Sequence, residues 1–223
     1  GGNYAPFWHV SNRQGIGSID TESGYARAAL YGNNSFGKDW QIGYGADFIV
    51  AHNHTSNVYI QQAFADVNWR MFTLSIGQKE RWSNFKNHRL TTGGLTESGN
   101  ARPIPQIRIE VPHYWDIFDT NGWFTLRGHI AYGWFTDGNW QKDFTAKGDE
   151  RNVGVRYHSK AGYFKVGNEK KFPLTVEGGL EMYSQFGGDI YTHAHGKILS
   201  MPRGFRDYIK AFIPLSGDET TPD

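Results

Sequence analysis

The chain has 223 residues, 23 Lys and Arg against 22 Asp and Glu, and no cysteine. A net charge of +1 supplies no field to steer nucleic acid, and the missing thiols exclude both a disulfide framework and a thiolate metal site. Only 38% of the residues are hydrophobic, yet 8 Trp, 12 Tyr, 15 Phe and 28 Gly are present. That combination suits a transmembrane β-barrel, in which one face of each strand meets lipid and aromatic rings gather at both interfaces.

The chain opens on Gly1-Gly2-Asn3 without a signal peptide, as a mature or trimmed chain would. No stretch approaches the roughly 20 apolar residues of a membrane helix. The first long alternation falls at residues 40–50. Trp40, Ile42, Tyr44, Ala46, Phe48 and Val50 share one face, and Gln41, Gly43, Gly45 and Asp47 share the other, with Ile49. A tight turn is expected around Trp69-Arg70. Beyond it Phe72, Leu74 and Ile76 oppose Thr73, Ser75, Gly77 and Lys79.

After a long segment at 80–104, Ile107, Ile109 and Val111 oppose Gln106, Arg108 and Glu110. Between 123 and 135, Phe124, Leu126, Ile130, Tyr132 and Trp134 oppose Thr125, Arg127, His129 and Gly133. A second long segment, 136–150, precedes Val153, Val155 and Tyr157, set against Asn152, Gly154, Arg156 and His158. Ser159-Lys160-Ala161 reads as a short link. Leu174, Val176, Leu180 and Met182 then oppose Thr175, Glu177, Gly179 and Glu181. Phe205, Ile209 and Phe212 lie at i, i+4, i+7 behind Pro202, which predicts a short amphipathic helix near 203–213, on the periplasmic side by strand counting. The polar stretch 216–223 reads as a cut or a loop, and the expectation is a barrel present only in part.

A soluble sandwich also alternates. Strands near the 9–11 residues of a membrane crossing, instead of about 5–6, favour the barrel. So do polar faces holding Arg, Glu, His and Gly, as a crowded hydrated lumen does. Short links alternating with long ones match periplasmic turns and extracellular loops.

Residues able to hold sugar hydroxyls and stack on sugar faces concentrate after Glu80: Arg81, Trp82, Asn84, Phe85, Asn87, His88, Arg89, then Asn100 and Arg102. A second group is Trp134, Asp137, Asn139 and Trp140, whose two indoles read better as an interfacial girdle. Arg108, Glu110, Arg127, His129, Arg156, His158, Glu177 and Glu181 are expected to face one interior as an ion-pair network. Glu177 and Glu181 stand about 13 Å apart by strand rise, too far for the roughly 5–9.5 Å pair of glycoside hydrolysis, although glutamates on neighbouring strands could still pair. His52-x-His54 and His193-x-His195 lack an evident third ligand, and no nucleophile elbow or P-loop is present.

Several stretches stand out as words: residues 5–15 (APFWHVSNRQG), 60–66 (IQQAFAD), 75–80 (SIGQKE), 98–106 (SGNARPIPQ), 128–133 with 135–137, and 174–182 (LTVEGGLEM). These stretches resemble the Wzi-type capsule assembly proteins of Bacteroides-like bacteria. The resemblance runs from near residue 5 to residue 202 and covers the first half of such proteins. It implies an outer-membrane barrel with helices at its periplasmic mouth and a lectin-like hold on capsular polysaccharide.

The expectation is therefore an all-β fold: one region, 1–223, of an antiparallel transmembrane β-barrel in the bacterial outer membrane. It is not an enzyme, is a monomer, needs no cofactor or metal, and has surface polysaccharide and outer-membrane lipid as partners, with no nucleic acid. The polysaccharide-binding set is Arg81, Trp82, Asn84, His88, Arg89, Asn100, Arg102, Asp137, Asn139 and Trp140. A channel for small solutes is the alternative.

Overall fold

A computed structural model describes residues 4–82, 98–136, 140–146 and 148–213, apart from the side chains of Phe7, Trp140 and Asp143. The architecture is mostly β. Eight strands form one antiparallel sheet in the order β1 (Gly24–Phe36), β2 (Trp40–His52), β3 (Val58–Trp69), β4 (Phe72–Gln78), β5 (Gln106–Asp116), β6 (Phe124–Trp134), β8 (Arg156–Val166), β9 (Val176–Phe186). A second sheet holds three short strands: β11 (Gly196–Ser200), β10 (Asp189–Thr192) and β7 (Glu150–Val153). Three short helices complete the fold: α1 (Phe7–Val10), α2 (Trp140–Phe144) and α3 (Phe205–Phe212). No helix among the described residues is long and apolar enough to cross a membrane.

The large sheet is a meander, and its two ends differ. One end, here the turn end, carries the links at 37–39, 70–71, 117–123 and 167–175. The loop end carries 53–57, 79–105 and 135–155, the chain before β1 and the chain after β9. The expected tight turn is present: Trp69 pairs with Phe72, and Arg70 sits at a left-handed φ of 53°.

Cross-strand partners share a face, so the registers assign every side chain to one of two. One face is apolar and exposed: Trp40, Ile42, Tyr44, Phe48 and Val50 on β2, Phe72, Leu74 and Ile76 on β4, Ile107 and Ile109 on β5, Phe124, Ile130 and Trp134 on β6. The other face is polar, and much of it is buried: Asp47, Gln61, Gln62, Asp66, Thr73, Ser75, Gln106, Arg108 and His129. A sheet in water buries its apolar face and exposes the polar one. This sheet does the reverse. At the turn end the exposed rings of Trp40, Trp69 and Phe72 follow one another with centroids 6.0 and 6.2 Å apart.

The polar face is tolerated because its charges are paired. Arg27 Nε donates to both Asp47 oxygens, at 3.0 and 2.9 Å. Tyr31 and Gln62 donate to the same carboxylate at 3.1 and 3.2 Å. Gln61 and Gln62 are consecutive yet both turned inward, because the β2–β3 register slips between Asp47 and Phe48; a bulge of this kind re-aims a side chain. Arg108 pairs with Glu110 at 2.6 Å. Arg127 lies 4.8 Å from the ring centroids of both Tyr114 and Tyr163 and meets Glu177 at 3.1 Å. Glu181 accepts the Tyr163 hydroxyl, and His129 meets Ser159 at 3.2 Å. Gly45 lies between the rings of Tyr31 and Phe64, where a Cβ would come within 2.5 Å of Tyr31 and 2.6 Å of Phe64.

Three expectations change. Ser159-Lys160-Ala161 is not a link but the middle of β8, pairing with residues 129–131 of β6. The run from Asn152 to His158 is not one strand. It breaks at Gly154 (φ 72°), β7 joining the small sheet and β8 the large one. Arg156 and His158 do not share the polar face with Arg108 and Arg127. The β6–β8 register sets Tyr132 opposite His158 and Gly133 opposite Tyr157, so Tyr157 turns to the polar face and His158 to the apolar one.

That outward stripe is covered by α3. His158 is fully buried, its ring 5.5 Å from Phe212 and 4.3 Å from Tyr132. The Lys160 ammonium donates to the Phe212 carbonyl, completing the C-terminal end of the helix, where cations are favoured. The predicted helix therefore exists, but at the loop end. Long segments as extracellular loops and α3 on the periplasmic side cannot both hold.

Candidate functional site

Two adjoining cavities occupy the polar face at the loop end. The first, about 280 Å³, is lined by Gln14, Lys79, Arg81, Arg102, Gln106, Phe135, Tyr157, Tyr183 and Gln185, among others. The second, about 580 Å³, shares Arg102, Phe135 and Gln185 and adds Thr55, Gln141 and Asn152. Among the described lining residues neither cavity has an acidic side chain.

The N-terminal segment builds one wall. Ile16 packs with Ile49, Ala51 and Tyr59, a small apolar cluster on the otherwise polar face. Gln14 is held from three sides: its N–H donates to the Gly99 carbonyl at 2.6 Å, its amide to the Arg81 carbonyl at 2.9 Å, and its carbonyl accepts from Gln61 at 2.8 Å. Gln61 also reaches Glu80 at 3.0 Å, and Glu80 meets Arg27 at 3.1 Å. One continuous hydrogen-bond network thus ties the N-terminal segment, β1, β3 and the chain after β4.

Strands supply the other walls. Phe135, Tyr157 and Tyr183 form a row of rings with centroids 5.7 and 6.0 Å apart. Gln106, at the start of β5, is 6% exposed, and its side-chain carbonyl oxygen has no hydrogen-bond partner among the described residues. Buried polar atoms are almost always paired, so this oxygen marks a position where a hydroxyl or amide donor would be welcome.

Of the predicted set, Arg81 and Arg102 line the first cavity, whereas Trp82 and Asn100 line neither. Arg81 donates to Ser75 at 2.8 Å, and Arg102 lies 4.8 Å over the Tyr59 ring. Asn100 accepts the Asn12 N–H at 2.7 Å, and Trp82 is partly exposed beside Gly99. Asn100 thus has a structural task. Asn84, Phe85, Asn87, His88, Arg89, Asp137 and Asn139 lie outside the described residues, as does the Trp140 side chain, although Trp140 opens α2. Sequence reasoning did not select Gln14, Gln106, Tyr157, Tyr183 or Gln185. The first two stand inside stretches already singled out, 5–15 and 98–106; the others had no local signal.

In each His-x-His pair one ring is engaged elsewhere. His54 stacks edge-on with Tyr25 at 6.0 Å, and His193 meets the Thr145 carbonyl at 3.1 Å. No group of three metal-ligating side chains occurs among the described residues. Glu177 and Glu181 are engaged by Arg127 and Tyr163, as the network reading has it.

In the small sheet at this end, Asp189 is held below the usual carboxylate range, first by a hydrogen bond from Lys197, then by Ser200 and the charge of Arg203. The Lys197 and Arg203 contacts are 3.0 and 3.4 Å. Comparison with known proteins returned no matching family model, curated protein or solved structure.

Proposed function

We propose that the eight-stranded sheet is the wall of an outer-membrane β-barrel and that the cavity at its loop end holds surface polysaccharide. The inverted sheet supports the first part: an exposed apolar face backed by a face of paired charges is what the strands of a membrane barrel present to lipid and lumen. The second part rests on the cavity. Aromatic rings, amides and guanidinium groups converge there, with no acidic side chain among the described lining residues, and such groups stack on sugar faces and bond their hydroxyls. The resemblance to Wzi-type proteins agrees with this reading. The action is non-covalent, with the barrel as anchor and the cavity as grip.

The test uses the full-length protein in detergent, the producing organism's purified surface polysaccharide, and the pair of changes Arg102→Ala and Gln106→Ala. Saturable binding weakened at least tenfold by the double change, with heat-modifiable gel mobility intact, is the expected result. Folded protein that binds nothing would overturn the reading, and a steady ion current would put a solute channel in its place.

A further inference from the structure

Helix α3 is the one element packed on the apolar face of the large sheet among the described residues, and its exposed side is divided in two. Ala211 is buried toward the sheet, and Tyr208 meets Tyr132 and Phe186 at 5.4 and 4.9 Å. On the outward side, at 100° per residue, Phe205 and Ile209 fall together and Arg206 and Lys210 fall together beside them. All four are exposed. Phe205, at 81% exposure, would be anomalous in water, and it borders a groove of about 450 Å³ with almost wholly apolar walls: Tyr132, Phe205, Tyr208, Ile209 and Phe212.

We infer that α3 is an interfacial helix whose groove seats an acyl chain of an anionic phospholipid, with Arg206 and Lys210 on its phosphate. Charge complementarity and continuity carry the choice of occupant. Tyr132 belongs both to the groove and to the apolar stripe of β6, with Ile130 and Trp134, so the groove opens onto the surface that lipid is proposed to cover. The two cations stand one helical turn apart, a spacing that brackets a single phosphate. An apolar stripe flanked by basic residues is the pattern that holds a helix in the headgroup plane. The Arg156–His158–Lys160 stripe beneath α3 would be intolerable against bare hydrocarbon, which places the helix at the rim of the apolar band. The inference rests on the barrel reading.

The test places a photo-reactive benzoyl group on Phe205 of the full-length protein, reconstituted in phosphatidylcholine vesicles containing a minority of phosphatidylglycerol or of lipid A. Adducts are identified by mass. Lipid adducts enriched about fivefold in phosphatidylglycerol over its share are expected, from the attraction of each basic residue to an anionic surface. Arg206→Gln with Lys210→Gln should return phosphatidylglycerol to its share while lipid adducts persist. Adducts to protein, whether this chain or a second copy, would overturn the proposal, as would phosphatidylglycerol at its share in the wild type or enrichment of lipid A alone. A well-folded protein that fails to enter any vesicle would instead overturn the barrel reading itself.

Discussion

Replacing Ile109 by Arg separates the two environments the exposed apolar face could meet. Ile109 is 58% exposed on β5, between Leu74 of β4 and Ile130 of β6 in one cross-strand row. If that row faced water, the change would remove nothing buried and cost at most about 0.5 kcal/mol, the range of ordinary surface substitutions. Facing lipid near the middle of the apolar band, it should cost about 2–4 kcal/mol. At 1.36 kcal/mol per tenfold, that is roughly 30-fold to several-hundred-fold in the folding equilibrium. Phe72 lies on the same face but at the turn end, where Arg should cost about 0–1 kcal/mol. The assay is urea titration of the full-length protein folding into phospholipid vesicles, read by gel mobility and tryptophan fluorescence. A neutral Ile109→Arg, or equal costs at 72 and 109, would refute the lipid-facing assignment.

Asp47→Ala should cost about 3 kcal/mol by the same titration, near the low end for a broken buried pair because Arg27 keeps partial exposure and Glu80; a loss under about 1 kcal/mol would remove this carboxylate from the network's centre. Ile16→Ala, which opens the small cluster under the N-terminal segment, should cost about 2–4 kcal/mol or free that segment to proteolysis; a fully protected variant would argue against its packing role. For Asp189, whose folded pKa is depressed, the linked stability is present above the unfolded value of about 3.9 and lost as pH falls through the folded one. Amide protection of β10 and β11, corrected for intrinsic exchange, should therefore drop in that acid window, and Asp189→Asn should flatten the dependence.

The alternation at 40–50 was legible because β2 runs straight between two strands, so each inward side chain meets a fixed partner on either side. Legibility failed where pairing overrules local pattern. Gln61-Gln62 reads as a lapse in alternation, yet the bulge opposite Asp47 makes both inward residues of one network. Val153, Val155 and Tyr157 read as one outward stripe, but Gly154 divides them between two sheets and Tyr157 ends up inside. The position of α3 depends on a stripe more than forty residues upstream that its own sequence does not mention. The site was half legible for the same reason. Arg81 and Arg102 sit on one segment and could be seen together, whereas Gln14, Gln106, Tyr157, Tyr183 and Gln185 meet only through topology.

The two ends of the sheet also explain why the cavity lies where it does. The turn end is finished with the exposed rings of Trp40, Trp69 and Phe72 at its apolar rim. At the loop end the N-terminal segment and the chain after β4 converge on one space with Phe135 and β9, and Gln14, Arg81 and Arg102 add amide and cationic groups to those of the large sheet. Gln14 joins these walls by three hydrogen bonds at once. An occupant of the first cavity would therefore touch the N-terminal segment, at Gln14, as well as the strands, at Gln106, Tyr157 and Tyr183.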